Sequence, residues 1–269
     1  MSTYVADVLA RMTVAGVEVE PVTGFDFVTE DPLEGLRNAS FDLALVGVQE
    51  LRGVVADELS MLAVFPRKDP RDALVALGGP ISRLRDFPEG SRIGVSGARQ
   101  KAFLKAHRTD LLPVEIDEGI GTELLQRELD AAVLGVWEAR IAGFSDRTAE
   151  ILDSRSWLPA PGRGMVAIIG RHPIAEITAL DHLPTRTALR AELALLDALD
   201  TSRNAPMGCI AQPSGPILRL WAAVASPDGR RLVRSDLTGP LDEPESIGIQ
   251  VARELNRRGA NILLTSTNQ

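Results

Sequence analysis

The sequence predicts an α/β protein with two parallel-sheet domains and a small α+β domain at its carboxyl end. Strand-length apolar runs alternate with helix-length segments twice along the chain. The last part changes to two alternating strands around Pro-Asp-Gly, followed by a helix, which is typical of a hairpin packed on a helix. With 269 residues, 45% of them hydrophobic, the chain has enough apolar side chains for two or three cores.

The first part contains one predicted helix and three predicted strands. Val5, Val8, Leu9 and Met12 recur at helical spacing. The strands are expected at 16–22, at 41–48 and at 61–66. The run at 41–48 is apolar throughout, which favours a strand buried on both faces of a parallel sheet.

A second α/β set begins after the turn at 67–74, which is rich in charged residues and contains Pro70, and there we expect the chain to cross into another domain. Its predicted strands are 92–97, 111–116 and 130–137, and its predicted helices are 98–111 and 121–129. The strand 165–171 is expected to return to the first sheet, and it precedes a long amphipathic helix at 186–200.

The last predicted elements are a hairpin over 217–239, a helix over 245–259 that ends at Gly259, and a final strand over 261–266. The predicted domains are 1–66 with 165–185, then 67–164, then 186–269.

Composition and charge exclude several classes of protein. The formal charge of −8 is unfavourable for nucleic-acid binding, and the basic runs at 230–234 and 253–259 are short. The chain has one cysteine, no signal-like start and no apolar run of membrane-spanning length, so we expect a cytoplasmic protein without a membrane partner. The three histidines are scattered, so no metal site is predicted.

Glu50 is the first candidate catalytic residue. It comes after a predicted apolar strand, with Gln49 directly before it. The carboxyl end of a strand is where many α/β proteins place their catalytic residues. The alternative is that Glu50 is only the first charged residue of a loop.

Four segments in order resemble the hydroxymethylbilane synthase family, also called porphobilinogen deaminase. Residues 65–74 resemble the crossing between its first two domains, and 158–168 resemble its Leu-Pro-Ala-Pro-Gly-Gln-Gly stretch. Residues 207–213 resemble its Gly-Gly-Cys-x-x-Pro loop, and 225–240 its third-domain hairpin. The resemblance extends from about residue 5 to the end.

The resemblance implies two periplasmic-binding-protein-like domains plus a small third one. It implies an enzyme that joins four porphobilinogen units on a dipyrromethane cofactor held by a cysteine thioether. An aspartate in a His-Ser-x-Lys-Asp stretch would stabilise cationic intermediates, and arginines would pair with acetate and propionate groups. On this basis Cys209 is the candidate cofactor-attachment residue, in a loop.

The chain departs from the family at its charged positions. Glu50 stands in place of the aspartate and Gln49 in place of the lysine. Of two paired arginines Arg99 remains, while Gln100 replaces the other. These residues, with Arg163 in place of a family glutamine, are the candidate substrate-binding side chains.

Two further family arginines become Asp117 and Glu123, so the charge is reversed. A carboxylate repels a carboxylate ligand that a guanidinium would have bound. The expected ligand of the interdomain cleft therefore carries fewer carboxylates than porphobilinogen.

Three hypotheses for function remain open at this point. The first is a divergent family member whose polymerisation is lost or altered, acting on a pyrrole or another small molecule. The second is a weak but genuine deaminase, with dipyrromethane on Cys209. The third is a non-catalytic binding protein. Compared with the family, the first domain is expected to lack the opening strand, and the open sheet edge that this implies would favour a homodimer or a protein partner.

Overall fold

The computed structural model describes residues 3–18, 20, 32–48, 59–78, 83–117, 121–201 and 205–265. The helices are α1 (Thr3–Val14), α2 (Pro32–Arg37), α3 (Gly97–His107), α4 (Val136–Ile141), α5 (Ala175–Thr178), α6 (Leu183–Leu199), α7 (Pro244–Arg257) and α8 (Ala260–Thr265). The strands are β1 (Leu43–Gly47), β2 (Ser60–Val64), β3 (Asp72–Ala76), β4 (Arg92–Val95), β5 (Leu112–Glu115), β6 (Ala131–Gly135), β7 (Thr148–Ile151), β8 (Val166–Gly170), β9 (Met207–Ser214), β10 (Ile217–Ala225) and β11 (Leu232–Pro240).

The chain forms two compact units. Unit 1 comprises 1–68 and 162–186, and unit 2 comprises 69–161 and 187–269. The chain thus passes between the units after Lys68, after Pro161 and after Arg186. The mixed α/β class with a distinct carboxyl-terminal sheet is confirmed, while the predicted three-domain boundaries stay predictions.

Unit 1 contains a sheet in the order β1-β8-β2. The prediction that 165–171 returns to the first sheet is confirmed, since β8 lies between β1 and β2. Both pairings are antiparallel, so the prediction of a parallel first sheet is wrong for the described strands. In β1 only Ala44 and Val46 are buried, which contradicts burial on both faces and is typical of a sheet with one covered face.

Unit 2 contains a five-stranded sheet in the order β5-β4-β6-β3-β7. The predicted parallel pairing holds for β4 with β5 and β6, whereas β3 is antiparallel to β6 and β7. The sheet packs on α3 through an apolar core that includes Phe103, Leu104 and Trp157. The second sheet is therefore mixed rather than parallel.

The carboxyl-terminal sheet has the order β11-β10-β9, and the predicted hairpin is confirmed by β10 and β11. Ile210, Ala223 and Ala225 pack into the same core as α3, so this sheet is covered on one face by the five-stranded part of unit 2. The predicted helix end at Gly259 is also confirmed, because its φ of 94° is in the left-handed region.

Three other predicted elements need correction. The predicted strand at 261–266 is helical in its described part, where α8 buries Leu263 and Leu264. A short apolar run does not distinguish strand from buried helix. The predicted helix 121–129 is a short 3₁₀ turn, Thr122–Gln126. Of the predicted strand 16–22, residues 19, 21 and 22 lie outside the described ranges, and the others are in no strand.

We expect Gly208→Ala to destabilise unit 2. A Cβ on Gly208 would lie 2.4 Å from the Leu158 carbonyl oxygen, so backbone would have to move. Overpacking of this kind costs about 1–3 kcal/mol or more in the free energy of unfolding. Urea unfolding followed by circular dichroism measures it.

Gly78→Ala is the matched control, since a Cβ at Gly78 meets nothing within 4 Å. Its free energy of unfolding should change by less than about 0.5 kcal/mol. Equal losses in both variants would contradict the close approach at Gly208.

Candidate functional site

The two candidate residues at the end of the first apolar strand, Gln49 and Glu50, lie outside the described residues. The predicted catalytic role of Glu50 therefore stays a prediction. The other candidate side chains are among the described residues, and most of them lie in unit 2.

Arg99 lies in the first turn of α3, directly after β4, and it is buried, with 7% of its surface exposed. Its guanidinium Nη2 lies 2.7 Å from Asp72 Oδ2, and its Nη1 donates to the Leu158 carbonyl oxygen at 2.9 Å. Arg99 is therefore an interior residue and not a solvated one. The predicted ligand-binding role stays a prediction.

Asp72 is the residue that sequence reasoning missed. It begins β3 with 0% exposure, and besides Arg99 it accepts a hydrogen bond from Trp157 Nε1 at 2.8 Å. Burying a carboxylate is costly unless it is paired and hydrogen-bonded, and these contacts supply both conditions. A charged residue at the head of an otherwise apolar strand was the available signal, but the sequence does not identify its partner.

Gln100 takes part in the same cluster. It is 1% exposed, and its Oε1 accepts from the Ser96 backbone N–H at 2.7 Å. Its Nε2 lies 3.5 Å from Asp72 Oδ1, a weak contact at most. The candidate Gln100 is thus an interior residue that holds the turn between β4 and α3.

The two reversed charges lie elsewhere in unit 2. Asp117 has a side chain that is 86% exposed and lies 3.4 Å from Arg127 Nη2. Glu123 is also exposed, in the 3₁₀ turn. Both carboxylates are therefore accessible to a ligand or to solvent.

Arg163 belongs to unit 1 and is 7% exposed. Its carbonyl oxygen accepts a hydrogen bond from Arg67 Nε at 2.9 Å. Within unit 1, this bond joins residues that lie close to two of the points at which the chain passes between the units. The structure thus assigns Arg163 and Arg99 to different units, and a shared role in ligand binding stays a prediction.

Cys209 lies in strand β9 and not in the expected loop, and it has 0% exposure. Because side chains alternate along a strand and Ile210 faces the core around Trp157, Cys209 lies on the opposite face. It shares that face with its register partner Ala222, which is also buried. The thiol is therefore enclosed in unit 2.

The outer edge of β9 is held by groups from two other segments. The Cys209 backbone N–H donates to the Pro159 carbonyl oxygen at 2.9 Å. The Ala211 N–H donates to Glu192 Oε1 at 2.8 Å, and Glu192 in α6 is fully buried. Sequence reasoning also missed Glu192, although a charged residue on the apolar face of a helix is a usable signal.

Two of the arginine–carboxylate pairs in unit 2 that have shifted pKa values lie in its first half. A hydrogen bond from Arg71 lowers the pKa of Asp69, next to the crossing between the units. A hydrogen bond from Arg108 lowers the pKa of Asp110 to about 2. Arg108 also donates to the carbonyl oxygens of Leu84, Arg85 and Phe87, so its role is structural.

A cavity of about 300 Å³ in unit 2 lies beside His107 and Trp157. Arg83, Arg85 and Glu150 also line it, but none of the predicted site residues that the structure describes does. In the part of the chain that the structure describes, no three His, Cys, Asp or Glu side chains are grouped so as to hold a metal ion. The described helices also include none long and apolar enough to cross a membrane.

Comparison with known proteins gives matches over most of the chain. One family model, described as "Porphobilinogen deaminase, dipyromethane cofactor binding domain", matches residues 16–179, and "Porphobilinogen deaminase, C-terminal domain" matches 187–257. A porphobilinogen deaminase of Thermobifida fusca is 33% identical, covering 97% of this chain and 90% of that protein. One from Geobacter metallireducens is 32% identical, covering 94% and 81%.

Among solved structures, a periplasmic substrate-binding protein of an ABC transporter from Coxiella burnetii aligns with a TM-score of 0.43 at 18% identity. The alignment covers 64% of this chain and 86% of that one. The family assignment depends on the family models and the relatives, not on this alignment.

We expect Asp72→Asn to lower the free energy of unfolding by about 3–5 kcal/mol, because it leaves the Arg99 charge buried without its carboxylate. Asp236→Asn is the matched control, since Asp236 pairs with Arg219 at 2.7 Å with about half of each side chain exposed. Its loss should be about 1 kcal/mol or less. If urea unfolding gives equal losses, Asp72 does not form a buried pair in solution.

Proposed function

The chain belongs to the porphobilinogen deaminase family, and from that premise we propose that it is a divergent member that no longer polymerises porphobilinogen. Its proposed activity is the binding, and with Glu50 the conversion, of a pyrrole or other small molecule with fewer carboxylates. The proposed site is the cleft that the family resemblance implies.

The observation that carries this proposal is that the Arg99 side chain is buried and already paired within the protein. Its guanidinium is bound to Asp72 and to the Leu158 carbonyl oxygen, and its side chain is 8% exposed. A ligand carboxylate could engage Arg99 only by displacing a buried carboxylate that lies 2.7 Å away. Breaking such a pair is strongly unfavourable because it leaves a charge buried without a partner.

Three other positions at which the family has arginines support the same conclusion. Gln100 is buried and has no charge to offer, while the exposed Asp117 and Glu123 carry the charge that repels carboxylates. The acetate and propionate groups of porphobilinogen lose their bidentate partners at these positions.

The described residues also do not fit the dipyrromethane group that the family model's description names. Cys209, the residue that would hold it, is enclosed in a strand with 0% exposure. A dipyrromethane bears acetate and propionate groups of its own, and the described positions that should bind them are buried, neutral or acidic. We therefore propose that Cys209 carries no cofactor, and no step is assigned to one.

A weak but genuine deaminase is the second candidate. The retained cysteine and the 33% identity to a relative named porphobilinogen deaminase over 97% of this chain favour it. The open edge of the sheet in unit 1 remains a proposed contact for a second copy of the chain or for another protein. The cytoplasmic location stays a prediction.

Incubation with porphobilinogen separates the two candidates. After oxidation, uroporphyrin fluorescence should be at least about 100-fold lower than with the Thermobifida fusca relative, because the carboxylate-binding geometry is lost. Turnover comparable to that relative would refute the proposal. Glu50→Gln and Cys209→Ser should abolish any residual turnover if it is genuine deaminase chemistry.

The double variant Asp117→Arg with Glu123→Arg tests whether the acidic charges at these two positions weaken the binding of porphobilinogen. Both positions are exposed, so the fold should tolerate the changes. Porphobilinogen should raise the melting temperature of this variant more than that of the unmodified protein. Equal shifts would mean that charge reversal at these positions does not decide ligand choice.

A further inference from the structure

The cavity of about 300 Å³ in unit 2 is lined by none of the predicted site residues that the structure describes. Its lining comes from residues 83–85, from the segment 150–157 and from the end of α3. All of these residues belong to unit 2. Ligand pockets are commonly about 300–1,000 Å³, so the cavity is large enough for a small molecule.

Arg108 is part of the frame of this cavity and is not available to a ligand. Its guanidinium has five N–H donors, and all of them are used inside the protein. Nε and Nη2 bind the two carboxylate oxygens of Asp110. The remaining bonds go to the carbonyl oxygens of Leu84, Arg85 and Phe87. These contacts hold the first wall of the cavity in place.

The wall that contains Trp157 is also fixed by contacts within unit 2. The Trp157 indole N–H donates to Asp72 at 2.8 Å. Arg234 of β11 donates to the carbonyl oxygens of residues 155 and 156 at 2.7 and 2.8 Å. Because both walls are already ordered, a ligand binds without the entropy cost of ordering them.

Three buried apolar side chains contribute to the lining. Leu84, Leu152 and Trp157 are 7%, 5% and 1% exposed, and they belong to one apolar core. The ring of His107, which also lines the cavity, packs on Trp157 with 5.3 Å between the ring centroids. These contacts favour a ligand that has an apolar part.

Two arginines of the lining remain accessible to a ligand. Arg83 is exposed and makes no hydrogen bond or ion pair with another residue that the structure describes. The Arg85 side chain is 72% exposed and lies 3.6 Å from Asp86, a surface pair that contributes little. A guanidinium binds a carboxylate through two parallel hydrogen bonds. The two side chains therefore offer a place for a carboxylate.

Two acids of the lining have the opposite preference. Glu150 Oε2 accepts a hydrogen bond from the Leu84 N–H at 2.8 Å, and Asp153 Oδ1 accepts one from the Arg155 N–H at 3.1 Å. A backbone amide carries no net charge, so both carboxylates keep a negative charge that a cation can pair with. They repel a ligand that carries only carboxylates and attract an ammonium group.

From these observations we propose that the cavity binds a small zwitterion, of the class of amino acids with an apolar side chain. The ligand carboxylate pairs with Arg83 and Arg85. Its ammonium group pairs with Glu150 and Asp153, and its apolar part packs on the buried side chains of the lining. This inference does not rest on the proposed function, because the cavity is separate from the described residues of the predicted site.

Calorimetric titration of the full chain with L-phenylalanine and L-leucine tests the ligand class. We expect at least one of them to bind with a Kd on the order of 1 mM or tighter, as is usual for ligands of this size. For the one that binds, the analogue without the ammonium group and the analogue without the carboxylate should each bind at least about tenfold more weakly. For phenylalanine these analogues are 3-phenylpropanoate and phenethylamine. No binding of either amino acid, or equal binding of a singly charged analogue, would overturn the proposal.

The double variant Arg83→Gln with Arg85→Gln tests the carboxylate contact. Both side chains are exposed, so the fold should tolerate the changes, and the affinity for the amino acid should fall at least about tenfold. Arg230→Gln with Arg257→Gln is the matched control, since it removes the same charge from side chains of unit 2 that are 84% and 77% exposed. Its affinity should change by less than about twofold. Equal weakening in both double variants would mean that only net charge matters, which would contradict a site at the cavity.

The indole N–H signals of Trp137, Trp157 and Trp221 locate the ligand in the unmodified protein. Nuclear magnetic resonance of ¹⁵N-labelled protein resolves these signals, and single Trp137→Phe and Trp221→Phe variants assign them. The amino acid should shift the Trp157 signal most, with the Kd that calorimetry gives, because only Trp157 lines the cavity among the three. A larger shift of Trp137 or Trp221, or no shift of Trp157, would place the ligand elsewhere and overturn the proposal.

Discussion

The ion pair between Asp72 and Arg99 is the interaction on which the arrangement of unit 2 depends. It lies in the interior at 2.7 Å and joins the start of β3, the start of α3 and the segment before the second crossing. A buried pair contributes little net stability compared with apolar residues of similar volume. Removing only one partner, however, strongly lowers the free energy of unfolding. Its effect is therefore to specify one arrangement: Trp157 and Leu158 are held in place, and they in turn position Gly208 and Cys209.

The same pair is the main reason for proposing that this member of the family has lost the family's chemistry. The family models cover 16–179 and 187–257, so the ancestry is clear. The proposal that the chemistry differs depends on Arg99, which is paired internally, and on Asp117 and Glu123, which stand where the resemblance implies arginines. A ligand site with acids in place of arginines would select a different ligand by charge, before any change in shape.

The sequence predicted the regular elements well where apolar periodicity was long and turn residues were distinctive. The hairpin around Asp228-Gly229, the end of α7 at Gly259 and the return of β8 to the first sheet are examples. Short apolar runs were predicted wrongly, as α8 shows, because packing against neighbouring elements such as α7 and β10, and not intrinsic periodicity, decides their conformation. The site was less predictable: whether Arg99 faces a ligand or an internal carboxylate depends on a partner 27 positions away, which spacing does not reveal. Strand pairing likewise places Cys209 inside β9, although its motif resembles a loop.

The intact mass of the purified protein, taken from a host that makes tetrapyrroles, tests the central claim most directly. The account predicts the mass of the unmodified polypeptide, together with full alkylation of Cys209 once the chain is unfolded, because the thiol is enclosed and the positions that should bind carboxylates are buried, neutral or acidic. A covalent dipyrrole-sized adduct that blocks alkylation and reacts with an aldehyde reagent for dipyrroles would contradict it. That result would mean that β9 opens to accept the family's cofactor and that Arg99 can exchange Asp72 for a ligand carboxylate.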